Sequence, residues 1–337
     1  MIVTEIDITK YNTAAGICTK IYNELKCKII HNEIRNLKVL SDYGNIRIKE
    51  ELSNIYKKEN IENKNIAYPI SISLNDVVSN YIYDYENEDS NYNIINDEDI
   101  IKIELGISIG GCISVLCETF TIKSNSTVEK TIKLLDDIQK DIIEMIKNEE
   151  TVDEIRIFIE SKCTEYELFP VENCISFQQE NKYLKTSESK YMILNYKQKV
   201  DNNDNIITLQ NINFEFETND VFTINLSMLS TQNTDIRDIK YYTKPSHIYG
   251  FNDYNYSLKL KSSREFYNEI SNKHYKYAFE INKYLLNIKN KIGMKECINN
   301  NILDTYPIIM NKNKIPIITK KFTIIVGEKK SKLLKYN

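Results

Sequence analysis

Three features of the sequence predict an α+β fold in which helices cover one side of a sheet. Apolar residues recur at three- and four-residue steps in the first thirty positions, the period of a helix with one buried face. Two strand-like runs flank Gly110-Gly111, and the same order, a helix pair followed by β segments, returns after residue 126.

From Tyr11, the residues Ala14, Ile17, Ile21, Leu25 and Ile29 mark the buried face of a long opening helix. Ile46, Ile48, Leu52, Ile55 and Tyr56 predict a shorter helix that ends in the charged segment 57–64. Residues 67–81, AYPISISLNDVVSNY, alternate apolar and small polar residues around a proline and read as strand or extended loop. Tyr83 to Asp99 carries seven acids among Asn and Tyr and predicts a solvated loop. The segment 100–122 is the clearest hairpin. Ser126-x-x-Glu129 and Thr151-x-x-Glu154 are capping boxes; the first opens a helix with Val128, Ile132, Leu135, Ile138, Ile142 and Ile146 on one side, the second a helix ending near 166. Residues 201–205, DNNDN, read as a turn, 214–229 as β, 262–291 as helical and 318–326 as a late strand.

Of 337 residues, 42% are hydrophobic and 27% charged, enough to bury one large core or two ordinary ones. Eight Gly and five Pro exclude a collagenous or Gly/Pro-driven disordered chain, and no apolar run reaches the roughly 18 residues of a spanning helix. The first residues, MIVTEIDITKYN, lack the charged-then-apolar pattern of a secretory signal, so an intracellular protein is expected. The seven cysteines, Cys18, Cys27, Cys112, Cys117, Cys163, Cys174 and Cys297, are then reduced thiols; their odd number and the lack of a CxxC pair signal neither a disulfide framework nor zinc. A net charge of −4 gives no whole-protein field for nucleic acid, so any RNA contact must be local.

Chemistry-bearing motifs are sparse. HExxH, GxSxG, Walker and GxGxxG patterns are absent, and His31, His247 and His274 each stand alone, at a helix end, in a Pro-Ser-His turn and in a Lys/Tyr-rich helix. Structural or surface roles are expected for all three. Cys112 and Cys117, five apart on one strand, face opposite sides and share no site. Lys259, Lys261 and Arg264 in YSLKLKSSREFY combine two same-face lysines with an arginine and flanking tyrosines, a phosphate-contacting pattern whose plainer reading is a solvated helix start. Lys329, Lys330, Lys332 and Lys335 crowd the last residues as a basic tail.

Taken in order, KYNTAAGICTKIYNEL, NIAYPISISLNDVVSNY, DEDIIKIELGISIGGCISVLCETF, LKLKSSREFYNEI and KKFTIIV resemble the type 2 methionine aminopeptidase superfamily with its pita-bread fold. The resemblance covers about residues 7–327 and is closest to the proliferation-associated branch, non-catalytic proteins that bind ribosomes and RNA. It implies one pita-bread domain over 1–330, with pseudo-repeat halves of about 1–149 and 150–330, a helical insertion at about 244–295 and a basic tail at 331–337.

In the active aminopeptidases, two divalent metals are held by two Asp, one His and two Glu, with a further His beside the substrate. The resemblance places these positions at Glu104, Val115, Phe177, Asn225 and Lys321, and the substrate-side His at Asn80. Two close divalent ions need several anionic oxygens to offset their repulsion, and one Glu with an Asn amide does not supply them. No aminopeptidase activity, no metal and no other cofactor are therefore expected, and Lys321 is expected to pair with Glu104 where a metal once stood. The resemblance further implies docking on rRNA of the large ribosomal subunit near the peptide exit, through Lys244, Lys259, Lys261, Arg264 and Lys273 of the insertion and Lys329, Lys330 and Lys332 of the tail. A cytoplasmic monomer without membrane contact is expected, with nuclear or nucleolar entry open and other proteins as candidate partners of the old pocket. The competing readings are a peptidase-like protein-interaction module and, last, a residual metallo-aminopeptidase.

Overall fold

Thr4 starts the first helix, α1 (Glu5–Ile30), with a reciprocal cap: its hydroxyl accepts from the Asp7 N–H while the Asp7 carboxylate accepts from the Thr4 N–H. The stripe read from the sequence, Ala14 to Ile29, is buried along this helix. A computed structural model of the chain describes residues 3–57, 64–85, 90–171, 174–180, 184, 189–192, 199–200, 206–207, 213–229, 241–252, 256–274, 277–285 and 287–327. In it α2 (Leu37–Asn54) begins well before the predicted Ile46, because the Asn36 side chain accepts from the N–H groups of Lys38 and Val39 and caps the helix there. Ile46 itself is exposed.

β1 (Lys64–Leu74) and β2 (Val77–Ser79) take up the alternating segment, and β3 (Ile100–Ile109) and β4 (Cys112–Thr121) form the hairpin. Gly110 and Gly111 turn it at φ 63° and 91°, which side chains rarely adopt. The acidic stretch before it is not simply solvated. Buried Asn93 accepts from the Tyr81 hydroxyl and the Asp84 N–H, and Asp99 accepts from Asn75 and from the Asn96 N–H, so polar residues anchor it by local bonds; 86–89 lie outside the described residues.

α3 (Ser126–Lys147) is capped by Asn125 rather than by Ser126; Asn125 accepts from the Val128 N–H, and Glu129 takes the Ser124 hydroxyl instead. α4 (Val152–Glu165) opens with the predicted Thr151–Glu154 box. Then come β5 (Phe169–Pro170), β6 (Ser176–Gln178), β7 (Tyr191–Met192), β8 (Lys199–Val200), β9 (Ile206–Ile207) and β10 (Val221–Leu229). The strand expected from 214 begins at Val221, and Phe214 and Phe216 instead fold back onto Phe222 with ring centroids 5.7 and 5.3 Å away. The turn read at 201–205 lies outside the described residues.

β11 (Tyr241–Phe251), α5 (Lys261–His274), β12 (Phe279–Glu280), α6 (Ile288–Asn299), β13 (Leu303–Asn311) and β14 (Ile317–Ile325) complete the chain. The helical stretch expected over 262–291 is therefore two helices with a strand between. Tyr277, Ala278 and Phe279 are buried consecutively, the Ala278 N–H donates to the Ala67 carbonyl, and Phe279 pairs with Tyr249. Asn287 then caps α6 by accepting from the Lys289 N–H. α5 and α6 meet at Gly293, where a Cβ would lie 2.7 Å from the Ser262 carbonyl oxygen. Around them Phe251, Phe266, Phe279, Tyr284 and Cys297 form a separate core.

Among the described residues, the main sheet runs β1-β3-β4-β14-β10-β6-β7 with β5 also on β10, and a second sheet runs β12-β11-β13-β2. α1 and α2 pack on β1, β3 and β4, and α3 on β4 and β14. One register row crosses five strands: Ser71, Glu104, Cys117, Lys321 and Asn225 are successive partners on β1, β3, β4, β14 and β10. Register partners share a face, so this polar row lies on one side of the sheet. Between β4 and β14 side chains carry much of the seam. The Thr119 hydroxyl donates to the Thr319 carbonyl at 2.7 Å and accepts from its N–H at 3.0 Å, and the Val115 N–H reaches the Thr323 hydroxyl at 3.0 Å.

Candidate functional site

The polar row ends in a cavity of about 400 Å³ between the two sheets. Asn80, Glu104, Val115, Phe177, Asn225 and Lys321, spread over more than 240 positions of sequence, all line it. Glu104 and Lys321 sit on β3 and β14 with Cys117 of β4 between them in the ladder, and both are buried. Their ion pair forms: Lys321 Nζ lies 2.6 Å from Glu104 Oε1. Burial acts to lower the Lys321 pKa, but the adjacent Glu104 charge and its hydrogen bond outweigh burial, and the value ends above the ordinary lysine range. The lysine is therefore a fixed cation.

Asn80 stands at the end of β2 with φ 68°, a conformation asparagine tolerates. Its Oδ1 accepts from the Tyr68 hydroxyl at 2.5 Å and its Nδ2 donates to the Pro307 carbonyl at 2.8 Å, so it ties the two sheets together. Tyr68 packs edge-on against Tyr306, with centroids 5.6 Å apart, to form one wall. Burial, reinforced by the Glu104 charge, keeps the Tyr68 phenol protonated. Phe177 and Val115 add apolar surface where the resemblance places ligands.

A pair of divalent metals does not fit this donor set. Val115 and Phe177 have no donor atom, Asn225 is neutral, and the Lys321 ammonium already occupies the Glu104 oxygen a metal would need. Burial pushes the Cys117 thiol far up, so it is no thiolate ligand. Among the described residues, no group of three or more His, Cys, Asp or Glu stands close enough to hold a metal.

The histidines lie elsewhere. His31 ends α1. His247 is in β11 rather than in a turn, at a register break beside Pro245, which has no N–H to give the ladder; its Nδ1 is 2.9 Å from Asn282. His274 Nε2 is 2.7 Å from the Tyr284 hydroxyl, and its ring stacks on Phe279.

The basic candidates divide. Lys259 and Lys261 are exposed at the start of α5, and Lys261 is 3.7 Å from Glu265. Arg264 is instead turned back, donating to the carbonyls of Leu258 and Lys259 at 2.9 Å each, and Lys273 is held by Glu269 at 2.8 Å. Both remain exposed, with these contacts holding them to their own helix or the residues just before it. Lys244 is on β11, paired with Ile308, but its side chain lies outside the described part, as do Lys329, Lys330, Lys332 and Lys335 entirely. Sequence reasoning missed Lys289, Lys291 and Lys295 of α6, all exposed and without a carboxylate in ion-pair reach among the described residues. Glu296 of α6 accepts from the N–H groups of Lys259 and Leu260 and so ties the residues just before α5 to α6.

The profile of the metallopeptidase family M24 matches residues 9–245. The chain belongs to this family. It is 26% identical over 270 residues to proliferation-associated protein A of Dictyostelium discoideum, covering 78% of this chain and 65% of that protein. It is 25% identical over 285 residues to the curved DNA-binding protein of Schizosaccharomyces pombe, covering 80% and 70%. The chain thus spans about two thirds of the length of these relatives. Among solved structures, a thermophilic Arx1 superposes with TM-score 0.78 at 18% identity, over 99% of this chain and 91% of that one. A methionine aminopeptidase of Thermotoga maritima gives 0.59 at 10%, over 99% and 98%. The fold is the pita-bread fold of M24 proteins, as the resemblance implied, and the sequence relatives include proliferation-associated proteins.

Proposed function

We propose that this M24 protein is non-catalytic and docks on the large ribosomal subunit through the α5–α6 hairpin. The Glu104–Lys321 pair supports the first half, because it replaces metal coordination with a closed internal contact. The observation that carries the second is the set of exposed cations Lys259, just before α5, Lys261 on it and Lys289, Lys291 and Lys295 on α6, the two helices being packed together at Gly293. Lysine ammoniums contact RNA phosphates without reading bases, so they position the protein by shape and charge. The name of one relative, a curved DNA-binding protein, agrees with a nucleic-acid partner. Docking of this kind near the peptide exit would influence translation or ribosome assembly.

Co-sedimentation with purified large subunits across a salt series tests this reading. Binding should weaken steeply with salt, and Lys259→Glu/Lys261→Glu/Lys291→Glu/Lys295→Glu should abolish it and flatten the salt dependence. No binding at low salt, or binding indifferent to the four reversals, overturns it. A protein partner on the same face is the second reading, favoured by Ile288 and Ile292, which are 75% and 50% exposed between these lysines. Binding that survives high salt but is lost in Ile288→Asp/Ile292→Asp would select it.

A further inference from the structure

A second cavity, of about 600 Å³, opens between α2 and the hairpin, at the end of α5 opposite Lys261. Most of its apolar lining is withdrawn, since Ala278, Phe279 and Tyr284 are buried. What it presents is polar. Asn45 and Lys49 stand one turn apart on α2, and Asn287 and Asn290 line the cleft from the start of α6. Asn45 and Asn290 are half-buried, and neither side chain has a hydrogen-bonding partner among the described residues. Each amide thus has a donor and an acceptor to offer a ligand.

The lining carries two lysines and two carboxylates, but the carboxylates are already engaged. Glu269 holds Lys273 at 2.8 Å, and Glu280 lies within electrostatic reach of Lys38 on α2. Lys49 is exposed and has no ion-pair partner among the described residues. At the start of α6 the first turn has no acidic residue, and the exposed Lys289 and Lys291 stand at the positive end of the helix dipole. Lys291, four positions after Asn287, is on the cleft side of the helix. The charge left over around the cleft is positive, and its complement is an anion.

A bare anion does not fill a space of this size. Beside the cations the cleft offers the two unpartnered amides and the half-buried ring of His274, which stacks on Phe279 with centroids 4.8 Å apart. Amides suit sugar hydroxyls and base edges, and an aromatic ring suits a planar base. We propose that the cleft binds a nucleoside monophosphate unit, with its phosphate between Lys49 and Lys291 and its sugar and base against Asn45, Asn290 and His274. The same chemistry is presented by a free nucleotide and by an unpaired nucleotide of RNA. The site shares Lys291 with the docking surface but needs no ribosome to be occupied.

Calorimetric titration of the full chain with AMP, UMP, their nucleosides and inorganic phosphate tests the proposal. The tighter-binding of the two nucleotides should exceed both its nucleoside and inorganic phosphate by at least about tenfold, because each part forfeits the contacts at one end of the cleft. Lys49→Glu sets a carboxylate beside the phosphate and Asn290→Leu removes an amide; each should weaken that nucleotide about tenfold, with folding checked by thermal unfolding. If Asn290→Leu does not fold, Lys49→Glu, at an exposed position, carries the test. Equal binding of nucleotide and nucleoside, no binding of either nucleotide, or binding unchanged in the folded variants overturns the proposal. With no ribosome present, such a failure is distinct from a failure of docking. A single-stranded RNA trimer of the preferred nucleotide then separates the sources: tighter binding than the monomer assigns the cleft to unpaired RNA, equal or weaker binding to a free nucleotide.

Discussion

Lys321 and Lys102 project from the same face of the main sheet in adjacent rows, and both are buried, yet they hold their nitrogens in different ways. Lys321 meets a carboxylate, and its charge is fixed. Lys102 Nζ donates to two backbone carbonyls, of Asn75 at 2.7 Å and Ile317 at 2.9 Å, and makes no ion pair among the described residues. Burial pushes its pKa down to about 7, with the more distant Cys117, Asp76 and Asp99 only partly opposing. A neutral amine has two N–H groups, which match the two carbonyls. In this interior a lysine keeps its charge where a carboxylate faces it; where only dipoles do, it approaches neutrality.

The largest expected effect breaks the paired side. Lys321→Met leaves Glu104 buried without its partner and should cost about 3–5 kcal/mol in urea denaturation, whereas Glu104→Leu/Lys321→Met should recover most of that loss. Equal losses in the single and double variants would mean that the pair itself, rather than the stranded charge, is what matters. The unpaired side shows in pH dependence. The folded pKa of Lys102 lies below the ordinary 10.5, so between about pH 7 and 10 the unfolded chain binds the proton more strongly. Stability should therefore rise with pH across that window by up to about 1.4 kcal/mol per unit, and Lys102→Met should flatten the curve and stabilise the protein at neutral pH.

Smaller effects sharpen the contrast. Thr119→Val removes both hydroxyl contacts across the β4–β14 seam and should cost about 2 kcal/mol with little salt dependence. Lys320, one position before Lys321 and so on the opposite face, is as buried as Lys321, but its partners Glu118 at 2.5 Å and Asp136 at 2.9 Å are 25% and 46% exposed where Glu104 is enclosed. Lys320→Met should cost only about 1 kcal/mol, and less at high salt. A loss as large as that of Lys321→Met would erase the distinction between enclosed and rim-level pairs.

Much of the fold was legible. The 3.6-residue spacing located α1 and α3, the Thr151–Glu154 box located α4, Gly110-Gly111 located the hairpin, and the ordered segments located six residues that the structure brings to one cavity. Helix ends were less legible where an asparagine did the capping, as at Asn36, Asn125 and Asn287, because asparagine is common in this chain and no single one stands out. The break between α5 and α6 was hidden because Tyr277 to Ile281 is apolar enough to suit a helix as well as a strand, and only contact with β11 and Ala67 decides it.

By itself, the sequence determined the alternation of β3, β4, β10 and β14, in which Lys102 and Glu104, Thr223 and Asn225, and Thr319 and Lys321 occupy every second position. Such a pattern ordinarily describes a strand with one wet face. Only the tertiary structure decided that this polar face is covered by the second sheet and nearly dry. That choice depends on contacts between residues more than two hundred positions apart, which set whether Lys321 finds Glu104, whether Lys102 keeps its proton and whether the six residues enclose a cavity. Local spacing determines which side chains share a face; what that face meets is a property of the assembled chain.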